Sequence, residues 1–161
     1  MSPLELNLDE HLDLKLERVV DATPAEVWAA WTQPELLKQW FCPRPWAVSA
    51  CEIDLRPGGR FNTTMCSPEG EEHPSPGCFL EVIEGRRLAF TDAMTEGFRP
   101  TGGGFMTGVV TLIPEGTGTR YVAVARHADP EATQTHRDMG FLSGWGTALD
   151  QMLEMIHAQR G

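Results

Sequence analysis

Downstream of Asp129-Pro130-Glu131 the apolar residues Phe141, Trp145, Ala148, Leu149, Met152 and Ile156 return at the spacing of one helical face. Asp129 is a favoured N-cap, Pro130 suits the first turn, and Glu131 sits where the positive end of the helix dipole favours a carboxylate. The pattern predicts a helix over 130–157, about 40 Å long at about 1.5 Å per residue. A rod of that length with a bulky apolar stripe needs a broad partner surface. Large side chains in such a grip rarely close completely, and the gap they leave is a ligand cavity. Gly140, Gly144 and Gly146 interrupt the stretch at a cost on the order of 1 kcal/mol each relative to alanine. A close strand or ligand would offset that cost; a local kink is the plain alternative.

The partner surface comes from the preceding residues. From residue 13 the period is two: Leu14, Leu16, Arg18 and Val20 share one face of a strand, while Lys15, Glu17 and Asp21 lie on the other with Val19. Thr23-Pro24-Ala25-Glu26 has the form of a capping box and predicts a short helix burying Val27, Trp28 and Trp31. Thr32-Gln33-Pro34-Glu35 repeats the signal for a second short helix carrying Leu36 and Leu37, which Cys42-Pro43-Arg44-Pro45 stops. Strand-like segments follow at 46–55, 59–66, 78–84, 87–93, 105–113 and 119–127. Arg56-Pro57-Gly58-Gly59, Glu84-Gly85-Arg86 and Glu115-Gly116-Thr117-Gly118 read as tight connections, hence antiparallel neighbours, with surface loops at 67–77 and 94–104. The expected architecture is α+β: a curved antiparallel sheet wrapped around a long C-terminal helix, with two short helices after the first strand. It forms one domain over 13–161, preceded by a loose arm at 1–12.

Thirteen basic against twenty-three acidic side chains give a net charge of -10, which repels nucleic-acid phosphates and anionic lipid surfaces. Neither nucleic acid nor membrane is an expected partner. No apolar run reaches the roughly 20 residues of a membrane span, and Met1-Ser2-Pro3-Leu4-Glu5 lacks the basic start of a signal peptide, so a cytoplasmic location is expected. Cys42, Cys51, Cys66 and Cys78 lack Cys-x-x-Cys spacing and read as free buried thiols, and no His-Glu-x-x-His is present. Neither a metal site nor a cofactor is expected.

Candidate cavity residues are the aromatic and flexible apolar side chains Trp40, Phe61, Phe79, Phe90, Phe105, Met139, Trp145, Leu149 and Met152. Trp145, at the centre of the helical stripe, leads them. Gly97 and Gly102-Gly103-Gly104 suggest either a mobile rim whose Phe98 and Phe105 cover the mouth or an exposed flexible loop without function. The sequel Phe105-Met106-Thr107 offers no lysine for a phosphate loop. His127 ends a strand and His136 lies early in the helical stretch, so the two approach one another near one end of the cavity. They read either as satisfied structural histidines or as a general acid/base pair. His11 and His73 fall in exposed segments; Asp92 and Asp150 are carboxylates near the expected cavity. Arg18, inside an apolar set, either snorkels to the sheet edge or anchors a ligand acid.

Several strings resemble a known family: Arg18-Val19-Val20-Asp21-Ala22-Thr23-Pro24, Val27-Trp28-Ala29-Ala30-Trp31-Thr32, Pro34-Glu35-Leu36-Leu37-Lys38-Gln39-Trp40, Asp54-Leu55-Arg56-Pro57-Gly58-Gly59-Arg60-Phe61 and Gly144-Trp145-Gly146-Thr147-Ala148-Leu149-Asp150-Gln151. Over about residues 14–157 the chain resembles the helix-grip, START-like superfamily of polyketide cyclases and pollen-allergen-like lipid binders. Within it the chain is similar to proteins related to the C-terminal domain of the activator of heat-shock protein 90 ATPase. The resemblance implies a cavity for a small hydrophobic or amphipathic molecule. The alternatives are a cyclase or hydratase using His127 and His136, or a module that contacts a chaperone or forms a homodimer. Relatives often carry His-Glu where this chain has Leu142-Ser143, so no chemistry of that histidine transfers. The chaperone activator also has a separate N-terminal domain, for which this chain leaves no room, so chaperone contact does not follow from the family likeness.

Overall fold

The computed structural model describes residues 5–160. In chain order its elements are β1 (Asp13–Val20), α1 (Pro24–Thr32), α2 (Pro34–Leu37), β2 (Ala47–Ile53), β3 (Phe61–Cys66), β4 (Glu72–Ser75), β5 (Cys78–Ile83), β6 (Arg87–Thr91), β7 (Met94–Thr95), β8 (Arg99–Pro100), β9 (Thr107–Glu115), β10 (Gly118–Arg126), α3 (Pro130–Asp138) and α4 (Phe141–Arg160). Five strands form an antiparallel sheet in the order β1-β10-β9-β6-β5, and β2-β3-β4 form a second antiparallel set. The sets join where Arg60 bridges Cys78 and the Phe79 amide donates to the Gly59 carbonyl at 3.0 Å. The result is a curved sheet with α4 lying against β1 and α1.

The period-two pattern puts Leu14, Leu16 and Val20 of β1 beside Tyr121, Ala123 and Ala125 of β10 on the concave face, all buried. Val110 and Leu112 of β9 and Leu88 and Phe90 of β6 continue that face. Thr23 caps α1 as expected: its hydroxyl accepts from the Glu26 amide at 3.1 Å, and the Glu26 carboxylate accepts from the Thr23 amide at 2.9 Å.

Three expectations are corrected. The helix predicted over 130–157 is two helices, because Gly140 adopts φ +90° between them, a left-handed conformation that ends α3 and re-aims the chain. The apolar stripe survives on the 20-residue α4. The loop expected at 67–77 contains β4, an exposed edge strand paired to β3. The loop expected at 94–104 contains the short β7–β8 hairpin, tied down by Gly97 N–H to Gly58 C=O at 2.7 Å and Thr101 N–H to Ala93 C=O at 3.0 Å. Of the predicted loose arm, residues 1–4 lie outside the described residues, and 9–12 form a turn fastened by the Leu12 amide to the Asp9 carbonyl at 3.0 Å and the Leu12 carbonyl to β10's end.

Candidate functional site: an aromatic cavity under the C-terminal helix

Between the concave face and the start of α4 lies a cavity of about 710 Å³, within the roughly 300–1,000 Å³ range of small-molecule pockets. Of the residues expected on its wall, Trp40, Phe61, Phe90, Phe105, Met139 and Trp145 are there. Phe79, Leu149 and Met152 are not: all three are at most 1% exposed, packed into the core behind the wall. The sequence pattern cannot separate wall from core, because the same apolar residue types serve both. Trp31, Phe41, Trp46 and Tyr121 complete much of the aromatic surface and were not on the expected wall.

The rings brace one another. Trp31 meets Trp40 edge-on at 5.0 Å between centroids and Phe90 at 5.5 Å, and Phe61 stands 5.0 Å from both Phe79 and Phe90. The Trp31 indole N–H donates to the Tyr121 hydroxyl at 3.0 Å, and the Trp40 indole to the Ala30 carbonyl at 3.0 Å. Tyr121 receives a hydrogen bond there, so its own hydroxyl hydrogen stays available to the cavity. Burial pushes its pKa up, keeping the phenol neutral.

On α4 the positions 141, 144, 145, 148 and 152 share the inward stripe. Gly144 leaves a gap in it: a Cβ added there meets no atom within 4 Å, and the glycine lies on the cavity wall. Gly146 instead faces Arg18, whose Nη1 lies 4.0 Å from its would-be Cβ. Arg18 reaches outward to pair with Asp150 at 2.7 Å, so it does not stand in the cavity. Asp92 does line it, with one carboxylate oxygen accepting from the Phe105 and Met106 amides at 2.7 and 3.1 Å. Phe105 therefore reaches the wall on a braced segment, whereas Phe98, expected to cover the mouth, packs over Gly58 and does not line the cavity.

His127 and His136 are in direct contact, Nε2 to Nδ1 at 2.9 Å, and both are buried. His127 Nδ1 lies 2.9 Å from the Leu12 carbonyl. Phe105, Phe141 and Trp145 surround the His136 ring at centroid distances of 4.7, 5.2 and 6.2 Å. Burial, with His127 adding to it, lowers the His136 pKa from 6.5 to about 4. The unfolded chain then takes up this proton first. The stabilisation is complete above about pH 6.5 and is lost as pH falls towards 4. Denaturation followed across that window should show the loss, and His136→Phe should flatten this part of the curve.

Gln151 is the residue whose role the sequence hid. Buried on α4, it donates to the Trp40 and Cys42 carbonyls at 3.1 and 2.9 Å and accepts from the Arg44 amide at 3.0 Å. It thereby fastens the 40–44 segment, which carries Trp40, Phe41, Cys42 and Pro43 of the wall. Gln151→Leu strands three backbone groups and should cost about 2 kcal/mol in urea denaturation.

The four cysteines are free; Cys42 and Cys78 are buried, and Cys51 and Cys66 partly so. Among the described residues no cluster of histidine, cysteine or carboxylate side chains has the arrangement to hold a metal, and no helix is long and apolar enough to cross a membrane.

A sequence profile of the family described as activator of Hsp90 ATPase homolog 1-like protein matches residues 21–157. A crystal structure of a protein from Nitrosomonas europaea is 45% identical, superposes with a TM-score of 0.92, and aligns over 95% of this chain and 99% of its own. A protein from Mycobacterium smegmatis is 28% identical at TM-score 0.75, over 91% of both chains. The solution structure of an AHSA1-like protein from Aeromonas hydrophila shares the fold at 23% identity and TM-score 0.71, over 92% of this chain and 94% of its own. No protein with a curated description matches. A matched profile over most of the chain, on a helix-grip fold with an aromatic hollow, places the chain in the activator of Hsp90 ATPase homolog 1-like family of the START-like superfamily.

Proposed function

We propose that the protein binds a small hydrophobic or amphipathic molecule in the hollow between the concave sheet and α4. The supporting observation is the cavity itself: about 710 Å³, walled by tryptophan and phenylalanine, and kept open by a glycine where the helical stripe would otherwise carry a side chain. Moving an apolar ligand surface out of water onto this wall contributes about 25 cal/mol per Å² buried. Binding fits the site better than proton transfer. His136 reaches the wall, but with its pKa held near 4 it is a weak base at neutral pH.

Titration with N-phenyl-1-naphthylamine, an uncharged fluorescent probe, tests the proposal. Saturable binding at one probe per chain, with a change in tryptophan emission, is the expected result. Absence of saturable binding by this probe and by a panel of neutral aromatic and lipid-like molecules contradicts it.

A further inference from the structure

The His127–His136 contact fixes more than its own geometry. The Leu12 carbonyl has no hydrogen to give, so the hydrogen in its 2.9 Å contact belongs to Nδ1 of His127. In a neutral ring that leaves Nε2 of His127 bare, an acceptor. Its 2.9 Å partner, Nδ1 of His136, must then carry the hydrogen. Nε2 of His136 is consequently bare as well. Among the described residues it has no hydrogen-bonding partner, and its ring stands on the cavity wall among Phe105, Phe141 and Trp145. A backbone carbonyl at the sheet edge has set the polarity of a group inside the cavity, two rings away.

The rest of the wall says what charge the occupant carries. Among the described residues no lysine or arginine lines the cavity and Asp92 is the one carboxylate on it, while the chain as a whole carries -10. A carboxylate or phosphate ligand would be buried without a counter-ion and would face an acceptor nitrogen with no hydrogen to offer. Phe105, Phe141 and Trp145 surround that ring, so a ligand filling the cavity shuts water away from the nitrogen, which makes leaving it unpaired costly and pairing it selective. Building on the binding role proposed above, we infer that the cavity selects an uncharged ligand whose hydroxyl group donates a hydrogen bond to Nε2 of His136.

Calorimetric titration of the full chain with four naphthalenes separates the possibilities: 2-naphthol, its methyl ether, 2-naphthoate and 2-naphthylmethylammonium. The expected order puts 2-naphthol about tenfold ahead of the methyl ether, the difference one buried hydrogen bond makes. In His136→Phe, which keeps a ring but removes the acceptor, the two should bind within about twofold of each other. A long-range proton–nitrogen NMR spectrum of the unliganded protein supplies a measurement independent of any variant. It should show the His136 hydrogen on Nδ1 and a bare Nε2. Equal binding of naphthol and methyl ether to the unaltered protein, tightest binding of the naphthoate or the ammonium, or a hydrogen on Nε2 each overturns the hydroxyl assignment while leaving the cavity's binding role intact. Failure of all four probes to bind removes that role, and the assignment with it.

Discussion

Gly144→Phe should lower the affinity for a neutral cavity probe by about a hundredfold or more, equivalent to about 2.7 kcal/mol, while the protein stays folded. The position lies on the inward stripe of α4, on the same side as the buried Ala148 and Gln151, and its Cβ would enter space with no atom within 4 Å. A phenyl group built there occupies the volume that the ligand is proposed to fill. The backbone at Gly144 is not left-handed, so the side chain brings no conformational strain. Phenylalanine and alanine are also better helix formers than glycine by several tenths of a kcal/mol. Gly144→Ala separates the two effects. It should stabilise the fold by about 0.5–1 kcal/mol, yet reduce probe affinity far less than phenylalanine does. Titration with N-phenyl-1-naphthylamine and thermal denaturation of both variants supply the check. Undiminished probe binding by a folded Gly144→Phe would show that the probe sits elsewhere.

The largest loss of stability is expected for Phe79→Ala, about 3–5 kcal/mol in urea denaturation. Phe79 is fully buried, stacks on Phe61 at 5.0 Å, and pairs across the sheet with Phe90. Its backbone carries part of the junction between the two strand sets, donating to Gly59 at 3.0 Å and accepting from Gly58 at 2.7 Å. Truncation leaves a cavity beside two rings that themselves line the ligand site. The packed backbone around the junction limits how far the gap can close. Against a typical total of about 5–15 kcal/mol, that loss is a large fraction. Probe affinity should fall as well, because Phe61 loses the stack that holds its face towards the hollow.

Residues with strong local chemistry were legible in the sequence. The Thr23-Pro24-Ala25-Glu26 capping box forms with both of its reciprocal hydrogen bonds, and the period-two face of β1 is buried where the pattern put it. The stripe on α4 is likewise present. The break before it stays undecided in the sequence, because the same pattern fits a glycine inside a continuing helix, at a cost of about 1 kcal/mol, or the left-handed glycine that favourably ends one; only the φ of +90° at Gly140 decides. β4 escaped notice because it is an exposed edge strand containing Pro74, without the alternation that burial on one face imposes. Gln151 was hidden for the opposite reason: a polar residue on a helix ordinarily reads as solvent-facing, and its partners are backbone groups more than 100 positions away. The histidine pair was visible as two residues that the fold would bring near one another, while its hydrogen polarity depends on the Leu12 carbonyl, which no side-chain motif announces.

The most direct measurement of the cavity claim is a crystal structure of the protein soaked with a neutral brominated naphthalene, using anomalous scattering to place the bromine. One strong peak should lie in the space bounded by Trp31, Phe61, Phe90, Gly144 and Trp145. Side chains closing that space, or bromine only at the outer surface of the sheet, would contradict the claim.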